Sequence, residues 1–218
     1  MPGPSECCLR GFEWDGTPIG KEAKLADNNA YITGSNSKIA IMVIADLFGW
    51  NTRLLSDHYA KEADATVYLP DFFGGEVIDS EILAEKGPSA FDLKSWVGRN
   101  GPEMRWPEIL SHDPPLVNCV STAHPTWLSK EYIDDIGVPV QIVAPEHDET
   151  FTPELKKYAN DVIPTKGLPY DYQYFSGVSH AFATRGNPKD VKERRAMVRA
   201  KNAQVSWMKE WLHGEAIW

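Results

Sequence analysis

The chain has 218 residues, 42% hydrophobic and 24% charged, an ordinary globular balance with length enough for one α/β domain and a sizeable core. Its formal charge of −9, with no basic block, excludes nucleic acid and anionic membrane as expected partners, and no apolar run approaches the ~20 residues of a membrane span. The N-terminal Met1-Pro-Gly-Pro-Ser-Glu has no secretory pattern, and three cysteines (Cys7, Cys8, Cys119) fit neither zinc spacing nor a disulfide framework, so a reduced, cytoplasmic setting is expected.

Residues 1–30 are polar and broken by Gly11, Gly16, Pro18 and Gly20. They are expected to form a lead-in with short strands, one near Tyr31 to Thr33. The adjacent Cys7 and Cys8 read as small half-buried residues. Lys38-Ile-Ala-Ile-Met-Val-Ile-Ala45 is a continuous apolar run, the pattern of a strand buried on both faces in a parallel sheet covered by helices. The loop Asp46-Leu-Phe-Gly-Trp-Asn51 follows, then a helix over 52–62 with Leu54, Leu55 and Tyr59 at helical spacing. Ala65 to Pro70 reads as the next strand, ending in Asp71-Phe-Phe-Gly-Gly75. Two strands ending in acidic, aromatic, glycine-bearing loops suit the carboxyl edge of a parallel sheet, where ligands bind.

Residues 79–100 read as helical with a break at Gly87-Pro88, and 116–123 as a strand leading into His124-Pro125-Thr-Trp127. Ser129 can cap a short helix, and Val138 to Ala144 is a further strand, ended by Pro145-Glu-His-Asp148. Thr152-Pro153 opens a helix to about Val162. Tyr170 to Phe175 is a short strand running into Ser-Gly-Val-Ser-His180-Ala-Phe182-Ala-Thr-Arg185, and a long amphipathic helix fills 188–213. Alternation of strand and helix throughout argues an α/β layer domain.

Asp148 and His180 each follow a strand, 32 residues apart. One strand, one helix and one more strand fit that interval, so both loops can share one sheet edge. An imidazole there can take and return a proton near neutral pH, and the order Asp then His is the second half of the triad order of α/β-hydrolases.

Taken together, Cys7-Cys8 with the Gly11/Gly16/Gly20 pattern, Ala45-Asp-Leu-Phe-Gly-Trp-Asn51, Tyr68-Leu-Pro-Asp-Phe-Phe73, Ala123-His-Pro125, Glu146-His-Asp148 and His180-Ala-Phe182 resemble the dienelactone hydrolase family. The likeness is closest to its fungal branch and runs over nearly the whole chain. It implies an α/β-hydrolase fold over 1–218 as one domain: a three-layer sandwich with a mostly parallel sheet and helices on both faces. It implies hydrolysis of small carboxylic esters or lactones by a Cys-His-Asp triad, without cofactor or metal. By resemblance Asp148 is the triad acid and His180 the base. Asp46 stands where the family has a glutamate that helps control the thiol, and Leu47 matches the position whose backbone N–H serves the oxyanion hole. Phe48 and Phe182 are candidate pocket residues, and Arg185 is near, though not aligned with, an arginine used toward the substrate carboxylate.

One departure is large. The family sets its cysteine in a Gly-x-Cys-x-Gly elbow between a buried strand and a helix, and neither this motif nor Gly-x-Ser-x-Gly occurs here. Between Trp106-Pro-Glu-Ile-Leu110 and Pro114-Pro-Leu116 the chain has only Ser111-His-Asp113, whereas a strand, a helix and their loops need roughly 20–25 residues. The central nucleophile strand and helix are expected to be absent and the chain to be impaired or inactive. A non-catalytic small-molecule-binding domain and a truncated splice or gene-model product are the alternatives. As substitute nucleophiles, Cys119 and Ser121 read as mid-strand residues, with the Cys119 thiol facing the core. A metal site from His112, His124, His147 and His180 with Asp113 and Asp148 lacks the i, i+4 helix spacing that marks such sites. Phe48, Trp50, Phe72, Phe73, Trp127 and Phe182 fit either a pocket or core and lid packing. The sequence gives no reading of oligomeric state.

Overall fold

The computed structural model describes residues 14, 16–78, 85–86, 91–100, 117–126, 128–185 and 190–214. They fall into two units, one spanning Leu9–Phe91 and one built around Asp92–Trp218. Cys7, Cys8, His112, Asp113, Trp127 and the Leu110–Pro114 junction, where the elbow is expected to be lost, lie outside the described residues, as do residues 79–84 and 87–90 of the helix expected over 79–100.

In the first unit β1 (Lys21–Leu25) and β2 (Asn28–Thr33) form an antiparallel hairpin, from Lys21 opposite Ile32 to Leu25 opposite Asn28. β2 pairs antiparallel with β4 (Thr66–Pro70), and β4 pairs parallel with β3 (Ala40–Met42), giving the order β1-β2-β4-β3. Helix α1 (Arg53–Glu62) follows β3 and turns Leu55 and Tyr59 inward. The hairpin falls where short strands are expected in the lead-in; the bounds of its first strand carry no signal of their own, because Lys-Glu-Ala-Lys-Leu is an edge strand with charged, exposed positions.

β3 overturns the expectation of a strand buried on both faces. Only three residues pair, Ala40 and Met42 face solvent, and Ile41 alone is buried. The cause is that, among the described residues, β3 has a strand neighbour on one side only.

The second unit is an all-parallel sheet, β5-β6-β7, of β5 (Val120–Ala123), β6 (Val140–His147) and β7 (Tyr170–Ser179). Its helices are α2 (Leu93–Asn100), α3 (Lys130–Asp134), α4 (Pro153–Val162) and α5 (Val191–His213). The starts foreseen at Ser129 and Thr152 are real caps: Ser129 Oγ accepts the Tyr132 N–H and Thr152 Oγ1 the Leu155 N–H, with Pro153 in the first turn. β5 is shorter than expected. Its pairing with β6 begins at Val120 opposite Val140, one residue beyond Pro139, which has no N–H to give.

β6 is the strand that reads as buried on both faces and is. Val140, Ile142 and Ala144 pack with Ile133 of α3, Phe151, Ala159 of α4 and Ile163, while Val143 packs on the opposite side with Phe175, Phe182 and Ala196 and Ala200 of α5. Alternation along the strand thus feeds two cores, α3 and α4 covering one face and α5 the other. Each of the larger aliphatic side chains so buried stabilises the fold by about 1.5–3 kcal/mol. Gln141, the polar position in this series, is also buried and fully engaged: its amide accepts from Ser121 Oγ and donates to Asp171 Oδ2 and the Ala203 carbonyl.

Candidate active site

β6 and β7 run in register from Val140–Tyr170 to Pro145–Phe175 and then slip, with His147 next opposite Ser179. β7 therefore carries three residues, Ser176 to Val178, where β6 carries Glu146 alone. The bulge is held by Glu146, whose carboxylate accepts the Gly177 N–H at 2.6 Å and the Ser176 hydroxyl at 3.0 Å. Gly177 sits at φ +70, the left-handed region that glycine adopts without strain. A bulge re-aims the residue after it. Here that residue is His180, whose N–H bonds the His147 carbonyl at 2.9 Å and whose ring comes over Asp148.

Asp148 follows β6 directly, and its side chain has no exposed surface. One oxygen, Oδ1, accepts the Thr150 N–H (2.9 Å), the Phe151 N–H (2.9 Å) and the Thr150 hydroxyl (2.8 Å), which fixes the loop. Both carboxylate oxygens lie 3.0 Å from His180 Nδ1. Burial alone would raise the Asp148 carboxyl, but the His180 hydrogen bond and charge, then the Phe151 and Thr150 donors, outweigh it and hold it at about 2. An ionised Asp148 can only accept, so the neutral imidazole carries its proton on Nδ1 and offers the lone pair of Nε2. That nitrogen lies 3.2 Å from Thr126 Oγ1, an exposed hydroxyl on the loop after β5.

His124, at the end of β5, packs edge-on against His180 with ring centroids 5.0 Å apart, and against Phe182 at 6.0 Å. Burial, then the His180 ring, pushes its pKa down to about 3, so it is neutral at ordinary pH. Its Nε2 is shut away from solvent with no hydrogen-bond partner among the described residues. His124 is also at φ +39 and Ala181, next to His180, at φ +71, so two of the non-glycine residues in left-handed backbone border this pair.

Asp148 and His180 thus come together. Phe182 lies in the core behind the two imidazoles, and Arg185, on the same turn, bonds the Ala181 carbonyl through its N–H and adds to the depression of His124. The remaining candidates belong to the first unit. Asp46 Oδ1 accepts the Phe48 N–H at 3.0 Å, Leu47 accepts the Ile78 N–H through its carbonyl at 2.8 Å, and Phe48 is buried with Ile78. The sequence places His124 in a family motif and in a candidate metal set, and Thr126 only in the segment after the strand, neither of them beside His180. The signal was there: they leave a parallel strand at the same edge as Asp148 and His180.

Cys119 corrects another expectation. It precedes β5 and is half-buried, not inside the strand facing the core, and burial pushes its thiol up to about 11. His124 is five steps further along an extended chain, roughly 16 Å at 3.3 Å per residue, so Cys119 sits at the amino end of the sheet, away from His180. Ser121 spends its hydroxyl on Gln141 at 2.7 Å.

A model of the dienelactone hydrolase family matches residues 108–212. Hydrolase tropI of Talaromyces stipitatus is 25% identical over 257 aligned positions, covering 97% of this chain and 98% of that protein. Dienlactone hydrolase 1 of Gibberella moniliformis is 22% identical, covering 96% and 94%. Among solved structures, a dienelactone hydrolase-like promiscuous phosphotriesterase from metagenomic libraries aligns with a TM-score of 0.60 at 12% identity, over 88% of this chain and 98% of that one. Carboxyl esterase 2 of the mycorrhizal fungus Tuber melanosporum aligns at 0.58 and 12% identity, over 96% and 95%. These structural likenesses give the α/β-hydrolase fold. No helix among the described residues is long and apolar enough to cross a membrane.

Proposed function

Because the chain belongs to the dienelactone hydrolase family, we propose that it is a cytoplasmic hydrolase domain for small carboxylic esters or lactones. In this reading His180 is the general base and Asp148 its acid partner, and the family's cysteine elbow is not encoded. The observation that carries it is the pair itself: an ionised, buried carboxylate 3.0 Å from Nδ1, at the carboxyl edge of a parallel sheet. Asp46, Leu47 and Arg185 are assigned to the substrate side by their place in the family pattern alone.

Support for the lost elbow is independent of the fold. No Gly-x-Cys-x-Gly or Gly-x-Ser-x-Gly occurs anywhere in the chain, and three residues stand between Leu110 and Pro114. The 257 positions aligned with Hydrolase tropI exceed the 218 residues of this chain, so that relative has residues where this chain has none. An elbow presents the nucleophile and supplies one oxyanion N–H. Loss of one such donor typically costs about 100- to 1,000-fold in rate. Steady-state hydrolysis of simple aryl esters is therefore expected barely above background, and His180→Ala is expected to change that turnover little.

The test is to restore a strand–Gly-x-Cys-x-Gly–helix unit between Leu110 and Pro114. The restored protein should gain esterase activity that a thiol reagent blocks and His180→Ala abolishes. Equal inactivity with and without the unit would favour a ligand-binding domain. Robust Cys119-dependent turnover by the chain as written would overturn the proposal.

A further inference from the structure

The imidazole that Asp148 orients is not idle at its other nitrogen. Thr126 Oγ1 lies 3.2 Å from His180 Nε2, and since Nδ1 holds the proton, the hydroxyl must donate and Nε2 accept. That is the relation of an activated hydroxyl to its base. The loop that delivers Thr126 is braced. His124 turns the chain out of β5 at φ +39, Pro125 follows with its own φ fixed, and the Pro125 carbonyl oxygen lies 3.3 Å from the Thr150 hydroxyl oxygen. Thr126 itself is exposed, so an acyl group can reach it. The neighbouring hydroxyls are committed elsewhere: Thr150 lies on the Nδ1 side and donates to Asp148, Ser121 donates to Gln141, and Thr184 to the Ala181 carbonyl.

We propose that Thr126 Oγ is the nucleophile this chain presents to His180, and that it accepts one acyl group from an activated aryl ester. The proposal rests on the reading of His180 and Asp148 as base and acid. Thr126 Oγ bonds to the ester carbonyl carbon while its proton passes to Nε2. The carbon–oxygen bond to the aryl group then breaks, and the departing aryloxide takes that proton back from Nε2. The products are an acyl-threonine ester and a free phenol. Releasing the acyl group requires water to be activated by the same nitrogen and a secondary alkoxide to be expelled, a much poorer leaving group than an aryloxide. One acyl transfer per chain is expected, followed by very slow turnover, which accords with near-background steady-state rates.

The experiment uses the full chain with p-nitrophenyl acetate, reading phenol release in the first turnover together with the mass of the intact protein. Peptide fragmentation separates Thr126 from Ser121, Thr122 and Ser129. One acetyl unit on Thr126 is expected. Thr126→Val should lose it, Thr126→Ser should keep it, and His180→Ala should slow its appearance by about 100-fold or more. Thr126 is exposed, so Thr126→Val should fold as the parent does, and circular dichroism checks this. No acetylation, or acetylation at another residue, overturns the proposal. Acyl transfer that survives Thr126→Val but not His180→Ala would remove Thr126 and leave His180 as base. Transfer to Thr126 that ignores His180→Ala would remove the base instead.

Discussion

β3 and β6 are written in nearly the same apolar letters, Ile-Ala-Ile-Met-Val-Ile and Val-Gln-Ile-Val-Ala, yet they end up in opposite circumstances. β6 lies between β5 and β7 with helices on both faces, and Val140 through Pro145 are all buried. β3 borders β4 alone among the described residues, pairs over three residues, and leaves Met42 53% exposed. The difference teaches that an apolar strand reports the sheet it was selected for, whereas its burial reports the sheet it has. A strand with interior composition at a sheet edge is what deletion of its neighbour would leave. β5 ends the other sheet in the same way, with half-buried residues at all four positions. Such edges carry unpaired backbone groups and invite pairing with other chains.

The strongest way to break this comparison is to put a charge on each strand. Val143→Lys in β6 places an ammonium among Phe175, Phe182 and Ala200 and should abolish folding, whereas Met42→Lys should stay within about 0.5 kcal/mol of the parent, as surface changes do. Equal damage from both, by urea unfolding, would show that β3 is covered after all.

A finer contrast is truncation of one buried isoleucine in each strand. Ile142→Ala should cost about 2–5 kcal/mol. Ile41→Ala should fall well short of that, because its flanking residues face water and the site collapses more readily. Amide exchange should rank the strands alike, with β6 protected toward the global limit and β3 opening at lower free energy.

The contrast that is smallest at neutral pH is one of acidity, and it belongs to the β6 side. His124 is held at about 3 in the fold against 6.5 ordinarily. Between these values the unfolded chain binds a proton that the folded chain refuses, so stability falls as pH drops from about 6.5 toward 3, by at most about 1.4 kcal/mol per pH unit. Asp148, held at about 2 against 3.8, adds stability above 3.8 that is lost as pH falls through about 2. His124→Phe should flatten the melting temperature between pH 6.5 and 4 and leave the steeper loss below it. A profile unchanged by the substitution would mean that His124 is solvated.

How much of this was legible follows from what kind of signal each residue leaves. Asp148 and His180 were readable because each ends a strand and the chain between them has the length of one crossover. The caps at Ser129 and Thr152 and the long final helix were readable for the same local reason. Burial of β3 was misread because composition speaks for both faces of a strand but not for whether a neighbour exists. Cys119 was misplaced because the pairing of β5 starts where Pro139 allows it, a fact written in the partner strand. Thr126 left only the signal of its place after a parallel strand, since the Ser176–Val178 bulge decides which way the His180 ring points.

That bulge has a further consequence, for inheritance. The acid, the base, the Glu146 clamp that shapes the bulge and the Thr150 donors all lie in one uninterrupted β6–α4–β7 crossover, residues 140–180. Among the described residues, these hydrogen bonds draw on no group before β5. The pair therefore behaves as a cassette: a lineage can lose the upstream nucleophile segment, by exon skipping or deletion, and still transmit an imidazole with its proton on the correct nitrogen. Regaining rapid turnover in such a lineage would then require placing a better nucleophile in front of an existing base, a shorter mutational path than assembling both.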